Sequence, residues 1–194
     1  MWNGDKIAMN FEDFEEKTVT REDIFKGQVI VVKYDTVTLP GKTETAKREL
    51  VFHNGGVAVL AITDEQKLIL VRQFRKALEK VIYEIPAGKL EQGENSDPQA
   101  AMVRELEEET GMAAATIVKI SEFYTAPGFC NEVLHLYKAQ NLTKVDNPRP
   151  QDADETIELH EVTLAEAKAM IKSGEIADAK TLIAIQYWEL ETHA

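Results

Sequence analysis

The segment that most constrains this chain is Arg-Glu-Leu-Glu-Glu-Glu-Thr-Gly at residues 104–111. Asp97 is a good N-cap, Pro98 suits the first helical position and Gly111 suits the stop, so the sequence predicts a helix over 97–110. The four glutamates then fall in its last turns, where the helix dipole favours cations over anions. No lysine or arginine follows at the positions that would relieve them. We therefore expect a group outside the helix to compensate their charge.

Three of these glutamates share one face of the predicted helix. At about 100° per residue, Glu105, Glu108 and Glu109 lie within roughly a 100° arc, while Glu107 falls nearly opposite and is expected to be solvated. Three ionised carboxylates on one face suit a hard cation such as Mg²⁺ or Mn²⁺. Zinc is disfavoured because the segment has no His or Cys. A solvated acidic surface remains the alternative interpretation of the run.

Composition limits the class of protein. The 194 residues, 44% of them hydrophobic, suffice for one domain with a full core and a small appendage. A formal net charge of −12 argues against binding duplex nucleic acid, which needs a basic surface. The single cysteine, Cys130, excludes an intramolecular disulfide framework and suits a reducing compartment. Because no segment has the apolar run of a signal peptide or a membrane span, we expect a cytoplasmic protein without a membrane partner.

The rest of the chain alternates strand-like and helix-like segments, which is typical of an α/β or α+β layer fold. Two strands are predicted within 27–53, around a turn at Pro40-Gly41. A second strand pair is predicted at 55–62 and 67–74; further strands are expected at 115–125, 133–141 and 156–164, and helices at 164–172 and 178–191. We expect residues 1–53 to form an N-terminal β arm and residues 54–194 to form the main domain.

The loop before the glutamate helix extends the motif. Gly88 is followed by five residues and then Glu94, and the helix supplies Arg104 and Glu105 through to Gly111 and an aliphatic residue. These residues resemble the motif of the Nudix hydrolases, which is Gly, five residues, Glu, seven residues, then Arg-Glu-aliphatic-any-Glu-Glu-any-Gly-aliphatic. Every fixed position matches, but nine residues rather than seven separate Glu94 from Arg104. The insertion lies before or at the helix cap and bears on the placement of Glu94.

The resemblance covers roughly residues 54–190 and implies a fold, a cofactor and a set of roles. The fold is the Nudix one, a mixed β-sheet between helices. Glu105, Glu108 and Glu109 are implied as ligands of Mg²⁺ or Mn²⁺, with the backbone carbonyl of Ala87 as a further ligand. Arg104 is similar to the family arginine that orients a glutamate through a charge-assisted bond.

A subgroup of the family that acts on ADP-ribose is similar to this chain at further positions. Pro127 lies 16 residues after Gly111, as in that subgroup, although a Pro-Gly turn between strands accounts for it equally well. Arg75, Glu84 and Arg48 match positions that hold substrate there, and ordinary strand-end charges are the alternative. Arg72 is a weaker candidate for binding the diphosphate. Adenine would stack on an aromatic side chain, and the sequence does not distinguish between Phe11, Phe14, Phe25 and Tyr34.

The resemblance implies hydrolysis of ADP-ribose by water, giving AMP and ribose 5-phosphate, and this needs a base for the water. Glu155, in the loop before a predicted strand, is the preferred base; Glu109 is the alternative, and Asp152, Asp154 and Glu158 are the other acids of that loop. Another nucleoside diphosphate linked to a group X remains an alternative substrate, and a non-catalytic binding module an alternative function. The similar enzymes are homodimers that exchange N-terminal arms, so a homodimer is expected, with Arg48 acting in the partner's site.

Overall fold

The computed structural model describes residues 10–91, 94, 97–151 and 155–192. The described residues form two compact units: one contains those up to His53 together with Ala126–Asn131, and the other contains those of Asn54–Thr125 and those from Glu132 onwards. The short segment Ala126–Asn131, which the sequence analysis placed in the main domain, therefore belongs to the first unit. Backbone hydrogen bonds between Val51 and both Phe129 (2.7 Å) and Asn131 (3.2 Å) attach it there.

The first unit is a three-stranded antiparallel sheet in the order β1 (Thr18–Lys26), β2 (Ile30–Thr38) and β3 (Thr45–His53). The predicted pair around Pro40-Gly41 corresponds to β2 and β3. Strand β1 was not predicted, because its charged residues mask the alternation and all nine of its residues are exposed. Buried Asp35 on β2 secures it, accepting hydrogen bonds from Arg21 (2.8 and 2.6 Å) and Thr18 (3.1 Å).

Among its described residues, the second unit has two sheets and three helices, so the fold is of the α+β class. One sheet has the order β7-β4-β9-β8 and the other the order β10-β5-β6. The strands are β4 (Gly56–Ala61), β5 (Leu68–Arg75), β6 (Lys80–Glu84), β7 (Ala87–Lys89), β8 (Met112–Tyr124), β9 (Val133–Lys144) and β10 (Glu158–Val162). The helices are α1 (Pro98–Thr110), α2 (Leu164–Ser173) and α3 (Ala179–Thr192).

The predicted pairing of β4 with β5 is wrong. All six residues of β4 are buried, so this strand takes a central place, parallel to β9 on one side and antiparallel to β7 on the other. Strand β5 pairs with β6 and β10 instead, and it meets the end of β4 only through a bridge between Ile62 and Leu68. The short strands β6 and β7 were not predicted, because five and three residues are too few for a visible alternation.

Two apolar clusters hold these layers together. Helix α1 packs Met102 and Leu106 against Val57 and Val59 of β4. On the other side, α2 and α3 cover a second cluster that includes Leu70, Leu136 and Trp188. The caps of α1 follow the sequence prediction: the Asp97 side chain accepts from the backbone N–H of Ala100 at 3.1 Å, and Gly111 ends the helix at φ 69°.

Helix α3 is tied to the end of β6 through one buried hydroxyl. Oγ1 of Thr181 accepts the backbone N–H of Ile85 at 3.0 Å and donates to Asp178 at 2.7 Å. This contact fixes the helix beside the segment that leads into β7. Within the described residues, no helix is long and apolar enough to cross a membrane.

Candidate active site

Strand β7 and helix α1 approach each other closely at Gly88. A Cβ atom at this position would lie 1.9 Å from the carboxyl carbon of Glu105, far inside van der Waals contact. Only glycine therefore lets the Glu105 carboxylate reach the β7 backbone. The helical register makes the approach possible, because Glu105 and Glu109 lie on neighbouring turns of one face.

Glu109 lies one turn further along α1 and is almost fully buried, with 2% exposure. Its Oε2 accepts the backbone N–H of Ala87 at 2.9 Å. Burial raises the pKa of Glu109 to about 8; the Ala87 N–H lowers it, while the charges of Glu105 and Glu155 raise it further. The predicted carbonyl ligand, Ala87, thus stands directly beside a predicted carboxylate ligand.

The other two carboxylates of the set are drawn together by Arg104. Its Nη1 lies 2.9 Å from Oε1 of Glu105 and 2.7 Å from Oε2 of Glu108. Burial raises the pKa of Glu105 to about 7; the charge of Arg104 lowers it, and the charges of Glu108 and Glu155 raise it. Arg104 therefore lies among the glutamates and pairs with both Glu105 and Glu108.

Arg104 also reaches Glu94 in the preceding loop, with Nη2 3.3 Å from Oε2. The same carboxylate accepts the backbone N–H of Glu91 at 2.7 Å. The two inserted residues therefore do not prevent Glu94 from meeting Arg104. Its neighbours at 92, 93, 95 and 96 lie outside the described residues.

The expectation that Glu107 is simply solvated is wrong. Its side chain is 21% exposed, and Oε1 accepts the backbone N–H of Arg149 at 3.0 Å. The guanidinium of Arg149 lies 3.5 Å away as an ion pair. The missing cation comes from the loop after β9, which helix periodicity alone does not show.

The donor set fits a hard divalent cation in its chemistry: three carboxylates, a neighbouring backbone carbonyl and a glycine that leaves room for Glu105. Among the residues that the structure describes, no three His, Cys, Asp or Glu side chains stand in the geometry of a metal site. Each carboxylate is turned onto a protein donor instead: Glu109 onto Ala87, and Glu105 and Glu108 onto Arg104.

A second charged cluster surrounds Glu84, which is 2% exposed. Arg75 donates a bidentate pair of hydrogen bonds to its carboxylate, from Nε to Oε1 at 2.7 Å and from Nη2 to Oε2 at 2.8 Å. Lys180 of α3 contacts the same Oε2 from another side. The predicted substrate residues Arg75 and Glu84 are thus brought together, with Glu84 behind Arg75. Lys180 was not among the residues predicted from the sequence. Its signal was a cation in the first turn of a helix, where the dipole disfavours a positive charge.

The acids of the loop before β10 separate into two kinds. Glu155 is exposed, and its charge raises the pKa of both Glu105 and Glu109, so it stands within electrostatic reach of them. Glu158 instead lies in β10 and forms an ion pair with Arg72 of β5 at 3.0 Å. Arg72, the weaker candidate for binding the diphosphate, is therefore engaged by Glu158. Asp152 and Asp154 lie outside the described residues.

The remaining predicted substrate residues belong to the first unit. Arg48 forms an ion pair with Glu16, with Nε to Oε2 at 2.9 Å. Pro127 is exposed in the turn at 126–130. Of the four aromatic candidates, Phe11, Phe14 and Phe25 are exposed, while Tyr34 is partly covered by Lys47 at 5.1 Å from its ring centre.

Known proteins resemble this chain over most of its length. The NUDIX domain family model matches residues 52–184. A protein of Bacillus subtilis strain 168 named ADP-ribose pyrophosphatase is 50% identical over 93% of this chain and 96% of its own length. A protein of Bacillus methanolicus named methanol dehydrogenase activator is 51% identical over 92% of this chain and 95% of its own. The crystal structure of an ADP compounds hydrolase matches with a TM-score of 0.79 at 19% identity, covering 92% of this chain and 96% of that one, which supports the fold.

We predict that Gly88→Ala removes divalent-cation binding while leaving the fold intact. The added methyl group would displace the Glu105 carboxylate. Because the glutamate side chain is flexible, it can move away without disturbing the core. The measurement is the rise in melting temperature on adding Mg²⁺ or Mn²⁺, which should be present in the wild type and lost in the variant. Gly128→Ala, where a Cβ meets nothing within 4 Å, is the matched control. An equal rise in Gly88→Ala would contradict the assignment.

The raised pKa values of Glu105 (about 7) and Glu109 (about 8) predict a pH dependence of stability. Both groups bind protons more tightly folded than unfolded, so the free energy of unfolding in EDTA should fall as pH rises from about 5 to about 8. Glu109→Gln removes one of these titrations, so its decline should be shallower. Urea denaturation at four pH values measures this, with the exposed Glu12→Gln as control. Parallel curves for the wild type and Glu109→Gln would refute it.

Proposed function

This chain belongs to the NUDIX domain family, and on that premise we propose that it hydrolyses the pyrophosphate bond of ADP-ribose to AMP and ribose 5-phosphate. The observation that carries the proposal is the close junction of β7 with α1, which sets Glu105 and Glu109 beside Gly88 and Ala87. The 50% sequence identity to the Bacillus subtilis relative, over nearly the full length of both chains, supports the choice of ADP-ribose.

Nudix hydrolases generally use divalent metals, and we propose Mg²⁺ or Mn²⁺ for this chain. Glu105, Glu108, Glu109 and the carbonyl of Ala87 would hold it. Bound there, such an ion neutralises charge on the diphosphate and acidifies the attacking water. The helical register places Glu105 and Glu108 on one face of α1. Arg104, which pairs with both, would hold the two carboxylates together for the ion.

Protein side chains supply the remaining parts of the reaction. The water oxygen bonds to one phosphorus, the bridging P–O bond breaks, and we assign Glu155 to take the proton of the water. Its side chain is exposed to solvent, and its charge reaches Glu105 and Glu109. Glu109 is the alternative base, but its carboxylate is buried and accepts from Ala87. Arg75 offers its remaining donors to the diphosphate, since the fork to Glu84 uses two of the five.

We further propose that the protein works as a homodimer in the cytoplasm. Strand β1 is a sheet edge whose residues are all exposed, including Val19, Ile24 and Phe25. An exposed apolar edge strand is suited to pairing with another chain. The single cysteine is compatible with a reducing compartment.

The Bacillus methanolicus relative favours a second candidate, activation of an alcohol dehydrogenase. Adding this protein to a purified methanol dehydrogenase and measuring the rate of alcohol oxidation tests it. An increase that Glu109→Gln also produces would indicate activation by binding alone. An increase that Glu109→Gln fails to produce would tie activation to hydrolysis.

A substrate panel tests the choice of ADP-ribose. With Mg²⁺ or Mn²⁺, ADP-ribose should give the highest kcat/KM among ADP-ribose, GDP-mannose, NADH and dNTPs, with AMP and ribose 5-phosphate identified as products by chromatography. A low rank for ADP-ribose would move the function to another nucleoside diphosphate linked to X. Binding of ADP-ribose without any turnover would favour the non-catalytic module.

Three carboxamide variants separate the base from the metal ligands. Glu109→Gln and Glu155→Gln should each lower kcat by about 10²–10⁴-fold, while leaving the fold intact. The rise in melting temperature with Mg²⁺ should disappear in Glu109→Gln and persist in Glu155→Gln, because only the former removes a ligand. Glu158→Gln, which alters an exposed strand carboxylate paired with Arg72, should keep near-wild-type kcat. Wild-type turnover in Glu155→Gln would exclude it as the base.

A further inference from the structure

Lys180 occupies an electrostatically unfavourable place. It is the second residue of α3, where the helix dipole repels a cation, and its side chain is only 12% exposed. Asp178 lies just before the helix and accepts from the backbone N–H (3.0 Å) and hydroxyl (2.7 Å) of Thr181. A lysine that gives up hydration at this position needs carboxylate partners to compensate.

Two carboxylates provide that compensation. Lys180 contacts Oε2 of Glu84, and its Nζ lies 3.1 Å from Asp178. Glu84 is more deeply buried than either cation around it, at 2% exposure against 39% for Arg75 and 12% for Lys180. Although burial alone raises the pKa of Glu84, the charges and hydrogen bonds of Arg75 and Lys180 hold it below its usual value. Glu84 is therefore a carboxylate with two counter-ions.

This sharing matters for Arg75. If Arg75 were its sole partner, the Glu84 carboxylate would neutralise the guanidinium charge, and the two side chains could rotate together. Lys180 takes part of the Glu84 charge and fixes the carboxylate from the helix side, so the direction of the Arg75 fork is set. The hydrogen bond to Glu84 is the main cause that raises the pKa of Arg75, and the charge of Glu109 raises it further, so Arg75 lies within electrostatic reach of one candidate metal ligand. A diphosphate bound by those metals would meet Arg75.

We propose that Lys180 is a positioning residue for diphosphate binding, acting through Glu84 on Arg75. The inference rests on the proposed function, because it takes the diphosphate site from it. Lys180 itself does not touch the substrate. Lys180 holds the Glu84 carboxylate in place and shares its negative charge, so that Glu84 neutralises the charge of Arg75 only in part. Arg75 then remains an oriented cation with N–H donors left for phosphate oxygens.

A double-mutant cycle tests this route. The measured quantity is the Kd of ADP in the presence of Mg²⁺, by calorimetry, for the wild type, Lys180→Gln, Arg75→Gln and the double variant. Each single change should raise Kd about 10-fold, as for the loss of one charge-assisted contact. The double variant should bind no more weakly than Arg75→Gln, because Lys180 acts only through Arg75. Lys138→Gln is the matched control, because Lys138 is also 12% exposed and pairs with Glu191 of α3. The Kd of ADP for this variant should equal that of the wild type.

An additive double variant would mean that Lys180 meets the ligand directly, and an unchanged Kd in Lys180→Gln would mean that it has no role; either result overturns the inference. For ADP-ribose, the effect of Lys180→Gln should appear in KM, with kcat within about 3-fold, whereas a general loss of structure would lower both. Should the double variant fail to fold, Lys180→Gln is measured in a Glu84→Gln background, where it should add nothing to Kd. Absence of ADP-ribose turnover by the wild type would refute the proposed function and leave the cycle with ADP interpretable.

Discussion

The candidate active site depends on the contact between the three-residue strand β7 and helix α1. Gly88 admits the Glu105 carboxylate against the backbone, and the N–H of Ala87 bonds to the Glu109 carboxylate. Burying two carboxylates side by side opposes folding, and both pKa values are raised as a result. The packing of Met102 and Leu106 on β4 holds the helix in this place, and the burial of these apolar side chains offsets the unfavourable free energy of burying the carboxylates.

The two charged clusters of the second unit follow the same physical logic. Glutamates stand at the C-terminal end of α1, and Lys180 stands at the N-terminal end of α3, so each charge faces the wrong pole of its helix. Local rules are broken where a protein needs a particular charge in a particular direction. Arg75 joins the clusters, because it holds Glu84 on one side and lies in the field of Glu109 on the other.

Local spacing in the sequence was enough to predict α1, its caps at Asp97 and Gly111, and the shared face of three glutamates. Family membership, also anticipated from that motif, is established by the match to residues 52–184. Most of the failures were non-local. The partners of β4, the Arg149 contact to Glu107 and the Lys180 contact to Glu84 depend on which distant segments meet, and no periodicity records that. The exposed strand β1 was missed because charged side chains hide its alternation.

The central claim is that the carboxylates beside β7 hold a divalent cation. Anomalous diffraction from a crystal grown with Mn²⁺ tests it most directly, because it locates the ion without assuming any activity. A manganese peak bounded by Glu105, Glu108, Glu109 and the carbonyl of Ala87 is the predicted result. A manganese peak elsewhere in the molecule, and none at these four groups, would contradict the account.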